Sequence, residues 1–170
     1  MKKITAIIKI KKNTVDYNTV DYIDEIVIPF ETRQKSRFKV TTKGNEEVGF
    51  FLQRGHILRD NDRVSAEDGT IYKITAANEA VCTGYSRDAL LLTRASYHLG
   101  NRHIPLQIGS AWIRFQVDHV LKEMVENLGL QVEIEEAPFE PEPGAYFTGL
   151  NERKQTAHHH HDADDHGHSH

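Results

Sequence analysis

The sequence predicts an α+β protein in three parts. They are a small all-β domain over residues 1–76, a second domain of strands and helices over residues 77–147, and a disordered histidine-rich tail over residues 148–170. Three observations carry that prediction. Short β-branched runs separated by turn residues fill the first part, with no helical period among them. Two apolar stripes at helical spacing then alternate with short strands. Finally, seven of the eleven histidines fall in the last thirteen of the 170 residues.

The elements follow in order. Ile4-Thr5-Ala6-Ile7-Ile8-Lys9-Ile10 and Ile23-Asp24-Glu25-Ile26-Val27-Ile28 read as strands, the second closed by Pro29, which removes a ladder donor. Arg37-Phe38-Lys39-Val40-Thr41 alternates and meets Gly44-Asn45, a hairpin signal, with Val48-Gly49-Phe50-Phe51-Leu52 as its partner. Turns at Asn61-Asp62 and Asp68-Gly69 bracket two further runs, around Arg63-Val64-Ser65 and Thr70-Ile71-Tyr72-Lys73-Ile74. Such spacing predicts a small barrel or sandwich.

Glu79-Ala80-Val81-Cys82-Thr83 opens the second part as a strand, and Ser86 is placed as the N-cap of a helix carrying Leu91, Leu92, Ala95 and Leu99 on one face. That helix stops near Gly100. Residues 105–108 and 111–115 read as strands joined at Gly109-Ser110. Val117, Val120, Leu121, Met124, Val125 and Leu128 make a second helical stripe, and Gly129 stands where a left-handed residue ends a helix. Residues 130–135 supply the last strand. The order β-α-β-β-α-β predicts a ferredoxin-like sheet with two helices on one face. Pro138, Pro141 and Pro143 then mark an extended exit segment.

Charge and composition exclude several classes. The formal net charge of −4 lacks the basic excess of a nucleic-acid binder. Residues 77–147 hold five basic against ten acidic side chains, which suits a cation better than a phosphate. No apolar run approaches a membrane span, and Met1-Lys2-Lys3-Ile4 does not open a secretory signal. The single cysteine, Cys82, excludes an internal disulfide and reads as a buried, inert thiol. The cell interior is the expected address. P-loop, G-x-G-x-x-G, H-E-x-x-H and G-x-S-x-G patterns are all missing from the sequence.

The chemistry rests on histidine. His158, His159, His160, His161, His166, His168 and His170 alternate in part with Asp, Gly and Ser, unlike an added run of consecutive histidines. Neutral imidazole suits nickel, copper, zinc and cobalt. Free imidazole protonates near ~6.5, so affinity should fall below that pH. His103, in Gly100-Asn101-Arg102-His103, falls in a turn past the first helix and is expected to face outward. One histidine cannot close a site, but a two-fold axis presents it twice. His119 sits about 200° round from Val117, opposite the apolar stripe, with Glu123 and Glu126 on its face. His98 reads as a partly buried structural residue and His56 as a loop residue.

Taken together, these features closely resemble the UreE family of urease accessory proteins over essentially the whole chain. The specific match is Tyr97-His98-Leu99-Gly100-Asn101-Arg102-His103-Ile104-Pro105-Leu106-Gln107. Asp118-His119-Val120-Leu121, Phe139-Glu140-Pro141-Glu142-Pro143-Gly144-Ala145-Tyr146 and the Arg54–Val64 turn extend it. Asp60-Asn61-Asp62 departs slightly from the family's Gly-Asp in that turn.

The resemblance implies a non-enzymatic nickel metallochaperone of the cytoplasm that delivers Ni²⁺ to apo-urease, with Zn²⁺ or Cu²⁺ as in vitro alternatives. It implies a homodimer with His103 as the metal ligand at the dimer interface. The implied partners are the GTPase UreG and the urease apoprotein with its other accessory proteins. It also implies a first domain that binds peptides or partners. Some members carry His-x-His on the second helix; here Val117 takes the first position and only His119 remains. Two other readings compete. A general divalent-metal store needs the tail alone. An acylphosphatase would use Asn101 and Arg102, but in that family the arginine leads into the first helix, whereas Arg102 follows it.

Overall fold

The structure is a computed structural model that describes residues 1–8 and 20–143. In the first domain, strands β1 (Lys2–Ile7), β2 (Asp24–Ile28), β3 (Arg37–Thr41), β4 (Glu47–Phe51), β5 (Arg63–Ala66) and β6 (Ile71–Ala76) form one sheet in the order β2-β6-β5-β1-β4-β3. β3 and β4 pair antiparallel as the Gly44-Asn45 hairpin signal predicts, while β1–β4 and β2–β6 are parallel. The sheet curls until its edges meet: the Lys43 N–H donates to the Glu25 carbonyl at 2.9 Å, and the Gly44 N–H to Asp24 Oδ2 at 2.9 Å. The result is barrel-like. Ile4, Ile26, Val48, Phe50, Val64 and Ile74 are wholly buried inside it.

One element has no counterpart in the periodicity. Pro29 is followed by a four-residue helix, α1 (Phe30–Arg33), a single turn too short to show a helical repeat.

The second domain contains β7 (Asn78–Tyr85), α2 (Ala89–Gly100), β8 (Gln107–Ile108), β9 (Trp112–Gln116), α3 (His119–Asn127) and β10 (Gln131–Pro138). Its antiparallel order, β10-β7-β9-β8, is the ferredoxin-like βαββαβ arrangement. Ala95 and Leu99 of α2 and Val125 of α3 bury against Cys82, Ile113 and Phe115 of the sheet. Burial pushes the Cys82 thiol pKa up, as befits an inert core residue.

Two local readings need correction. Asp88, not Ser86, caps α2: its carboxylate accepts from the Leu90 N–H at 2.8 Å, while Ser86 Oγ accepts from the Asp88 N–H. The stripe on α3 is also shorter than its spacing implies. Val117 precedes the helix and Val120 lies in its first turn, and they are 47% and 61% exposed.

Past β10, the chain runs through the seam between the domains. Phe139 is wholly buried beside Phe30, Val81 and Ala137, with the Phe30 ring edge-on at 5.3 Å. Arg33, also wholly buried, donates from Nη1 to the Leu58 carbonyl at 3.3 Å and to the Glu140 carboxylate, and from Nη2 to the Phe139 carbonyl.

Candidate metal centre

His103 occupies a backbone conformation that a side chain normally avoids. The Ile104 N–H donates back to the Leu99 carbonyl at 3.3 Å, and the His103 N–H to the Gly100 carbonyl at 2.9 Å. Those two bonds form a Schellman motif, whose left-handed residue is usually glycine. Here that residue is His103, at φ 56°. The nearby Gly100 is inside the helix and does not take the role. A non-glycine residue held at positive φ costs about 1–2 kcal/mol, and such outliers cluster at functional sites.

The turn is braced from below. Ile104 and Leu106 pack into the core of the second domain, and Arg102 Nη1 donates to the His98 carbonyl at 3.0 Å. His103 itself is exposed. It stands at the C-terminal end of the twelve-residue helix α2, where the helix dipole presents negative charge. A cation at such an end gains about 0.3–1 kcal/mol.

His119 has the opposite setting. It is the first residue of α3, exposed, directly after the capping Asp118, whose Oδ1 accepts from the Val120 and Leu121 N–H groups at 2.9 and 3.0 Å. The positive end of the helix dipole disfavours a cation there, offset in part by the Asp118 carboxylate. His98 is half-buried and lines a groove of about 450 Å³ with Arg102, Val120, Glu123, Met124 and Leu128. His56 is half-buried in the loop after β4.

Among the described residues, no three His, Cys, Asp or Glu side chains converge on one metal-sized point. Among those residues, His103 and His119 are therefore not brought together with a third such ligand. His158, His159, His160, His161, His166, His168 and His170 lie outside the described residues, as does the disorder expected of their segment. Sequence reasoning missed the left-handed backbone of His103. Its signal was a helix stop whose only glycine sits three residues too early.

The chain thus joins a barrel-like all-β domain to a ferredoxin-like domain that carries an exposed histidine on a left-handed helix end. The family model described as "UreE urease accessory protein, N-terminal domain" matches residues 6–77, and the C-terminal domain model of the same family matches residues 71–170. The chain is 56% identical over 121 residues to the urease accessory protein UreE of Alkalilimnicola ehrlichii, covering 71% of this chain and 74% of that one. It is 49% identical over 127 residues to the protein of the same name from Teredinibacter turnerae, covering 75% and 82%. It is also 49% identical over 135 residues to that of Aliivibrio fischeri strain MJ11, covering 79% and 82%.

This chain belongs to the UreE family of urease accessory proteins. It is an accessory chaperone with a role in urease maturation and not an enzyme. No helix among the described residues is long and apolar enough to cross a membrane.

Proposed function

We propose that this protein is a cytoplasmic nickel metallochaperone that binds Ni²⁺ and hands it to apo-urease while the urease site is assembled. His103 is the transfer ligand. A second copy of the chain supplies the second His103 across a two-fold axis, because one chain offers no convergent ligand set among its described residues. His158, His159, His160, His161, His166, His168 and His170 capture the ion, and His119 is an accessory ligand weakened by the helix end on which it sits. The urease apoprotein and the GTPase UreG are the partners.

The observation that carries this reading is the exposed histidine held at positive φ on the C-terminal end of α2. Exposure serves exchange, since a partner's donor atoms must reach the ion before the old ligands leave it. Proximity also favours it. The Glu142 N–H donates to the Leu106 carbonyl at 2.8 Å, so the segment leading to the tail begins beside the loop that carries His103.

Nickel titration calorimetry tests it, on a chain ending at Phe147 and on the His103→Ala form of that chain, with mass measured in solution. The expected result is about one tight nickel per two chains, abolished by the substitution. If truncation alone removes all tight binding, the protein is a tail-based metal store.

A further inference from the structure

We propose that Glu140 is a positioning residue for His103, acting through residues 139–142, and that the N-terminal domain thereby takes part in the metal site. The inference rests on the reading of His103 as a metal ligand.

A left-handed histidine relaxes unless the chain on both sides is held. On the helical side, the Schellman bonds to Leu99 and Gly100 hold it. On the other side, three residues on, the Leu106 carbonyl accepts from the Glu142 N–H at 2.8 Å, and Gln107 Oε1 accepts from the Glu140 N–H at 3.0 Å. The loop bearing His103 is thus tied to the strap formed by residues 139–142.

The strap is in turn fixed by cations of the other domain. Glu140 takes the wholly buried Arg33 as its ion-pair partner, lies 3.7 Å from Arg59 Nη1, and accepts from the Asp60 N–H at 3.3 Å. Arg59 Nη1 also donates to the Pro141 carbonyl at 2.8 Å. Arg33, Arg59 and Asp60 all precede β6. Burial pushes the Arg33 pKa down, so this guanidinium depends on protein partners in place of water. Lifting the strap would take from the buried Arg33 its ion-pair partner Glu140 and the Phe139 carbonyl, leaving it only the Leu58 carbonyl and the more distant charges of Glu79, Asp60 and Asp62, which is unfavourable. Arg33 holds Glu140, Glu140 holds the strap, and the strap holds the loop.

A double-mutant cycle on the full-length chain tests this, with the tightest nickel followed by calorimetry in wild type, Glu140→Gln, His103→Ala and the double variant. Glu140→Gln is expected to weaken that nickel about 10-fold, the lower end for residues that orient a metal ligand. In the His103→Ala background, where the tightest nickel that remains has no His103 to be positioned, the same substitution should change affinity less than about twofold, the non-additivity of residues that act through one network. Hydrogen exchange gives a readout free of metal: the His103 and Ile104 amides should exchange about 10-fold faster in Glu140→Gln, with Gly129 and Leu130 unchanged. Wild-type affinity in Glu140→Gln, or equal loss in both backgrounds, overturns the inference. If His103→Ala leaves the tight nickel in place, the ligand reading fails first and is seen to fail separately. Should Glu140→Gln not fold, Gln107→Ala removes only the strap's acceptor on β8 and runs the same cycle.

Discussion

Helices α2 and α3 end in the same hydrogen-bonded motif and differ in the residue at its left-handed position. At the end of α3, the Leu130 N–H donates to the Val125 carbonyl at 3.4 Å and the Gly129 N–H to the Glu126 carbonyl at 2.9 Å, with Gly129 at φ 102°. At the end of α2, Ile104 and His103 repeat those bonds with a histidine at φ 56°. One helix end uses the residue that costs least there. The other retains a side chain that costs stability, and it is the end that carries Gly100-Asn101-Arg102-His103. On the proposed reading of His103 as a metal ligand, the contrast separates a stop signal that serves the fold from one that serves a site.

The largest effect expected from that contrast lies in the apolar residue that follows each turn. Leu130 is 4% exposed, whereas Ile104 is only partly buried. Leu130→Ala should cost about 2–5 kcal/mol by leaving a cavity in the core. Ile104→Ala should cost less, because its surroundings can collapse toward solvent. Urea denaturation of the two variants checks the order. Equal losses would mean that the loop of His103 is anchored as firmly by its own side chains as the other end, which would leave the strap little to do.

Next in size is Gly129→Ala. A Cβ there would meet Leu91 Cδ1 at 3.4 Å, an ordinary contact, so the penalty comes from the backbone alone. The left-handed conformation costs about 1–2 kcal/mol for a residue with a Cβ, and the stiffer unfolded chain returns about 0.4–1 kcal/mol. A net loss of about 1 kcal/mol in denaturant unfolding is expected. No loss would show that these helix ends tolerate side chains freely, and His103 would then carry no strain to explain.

Much of the architecture was legible because periodicity reports it directly. The β-α-β-β-α-β order, the β3–β4 hairpin and the turn at Gly129 all follow from local pattern. What escaped has physical reasons. The parallel pairings of β1 with β4 and β2 with β6 join strands distant in sequence, and no local residue choice encodes them. Helix α1 is one turn long. Ser86 and Asp88 are both good caps, and only backbone geometry selects Asp88. At the site, His103 stood out as a turn residue, but its left-handed backbone was hidden because histidine is not the residue that usually marks one. Arg33 and Glu140 stand 107 positions apart, and burial of an ion pair leaves no signature in either segment alone.

The smallest predicted effect is the most direct test of the comparison. His103→Gly should relieve the left-handed penalty of about 1–2 kcal/mol, while the added freedom of glycine in the unfolded chain takes back roughly 0.5–1 kcal/mol. The metal-free variant should therefore be more stable than wild type by up to about 1 kcal/mol, a rise of roughly 2–4 °C in Tm for a chain of this size. His103→Ala keeps the Cβ and the strain, so its stability should match wild type within about 0.5 kcal/mol. Both should lose the tight nickel. Stability and binding then move apart: glycine improves the first and removes the second, as expected where a strained position is kept for its side chain. If His103→Gly is less stable than His103→Ala, histidine at this turn is no strain, and the two helix ends differ only in sequence.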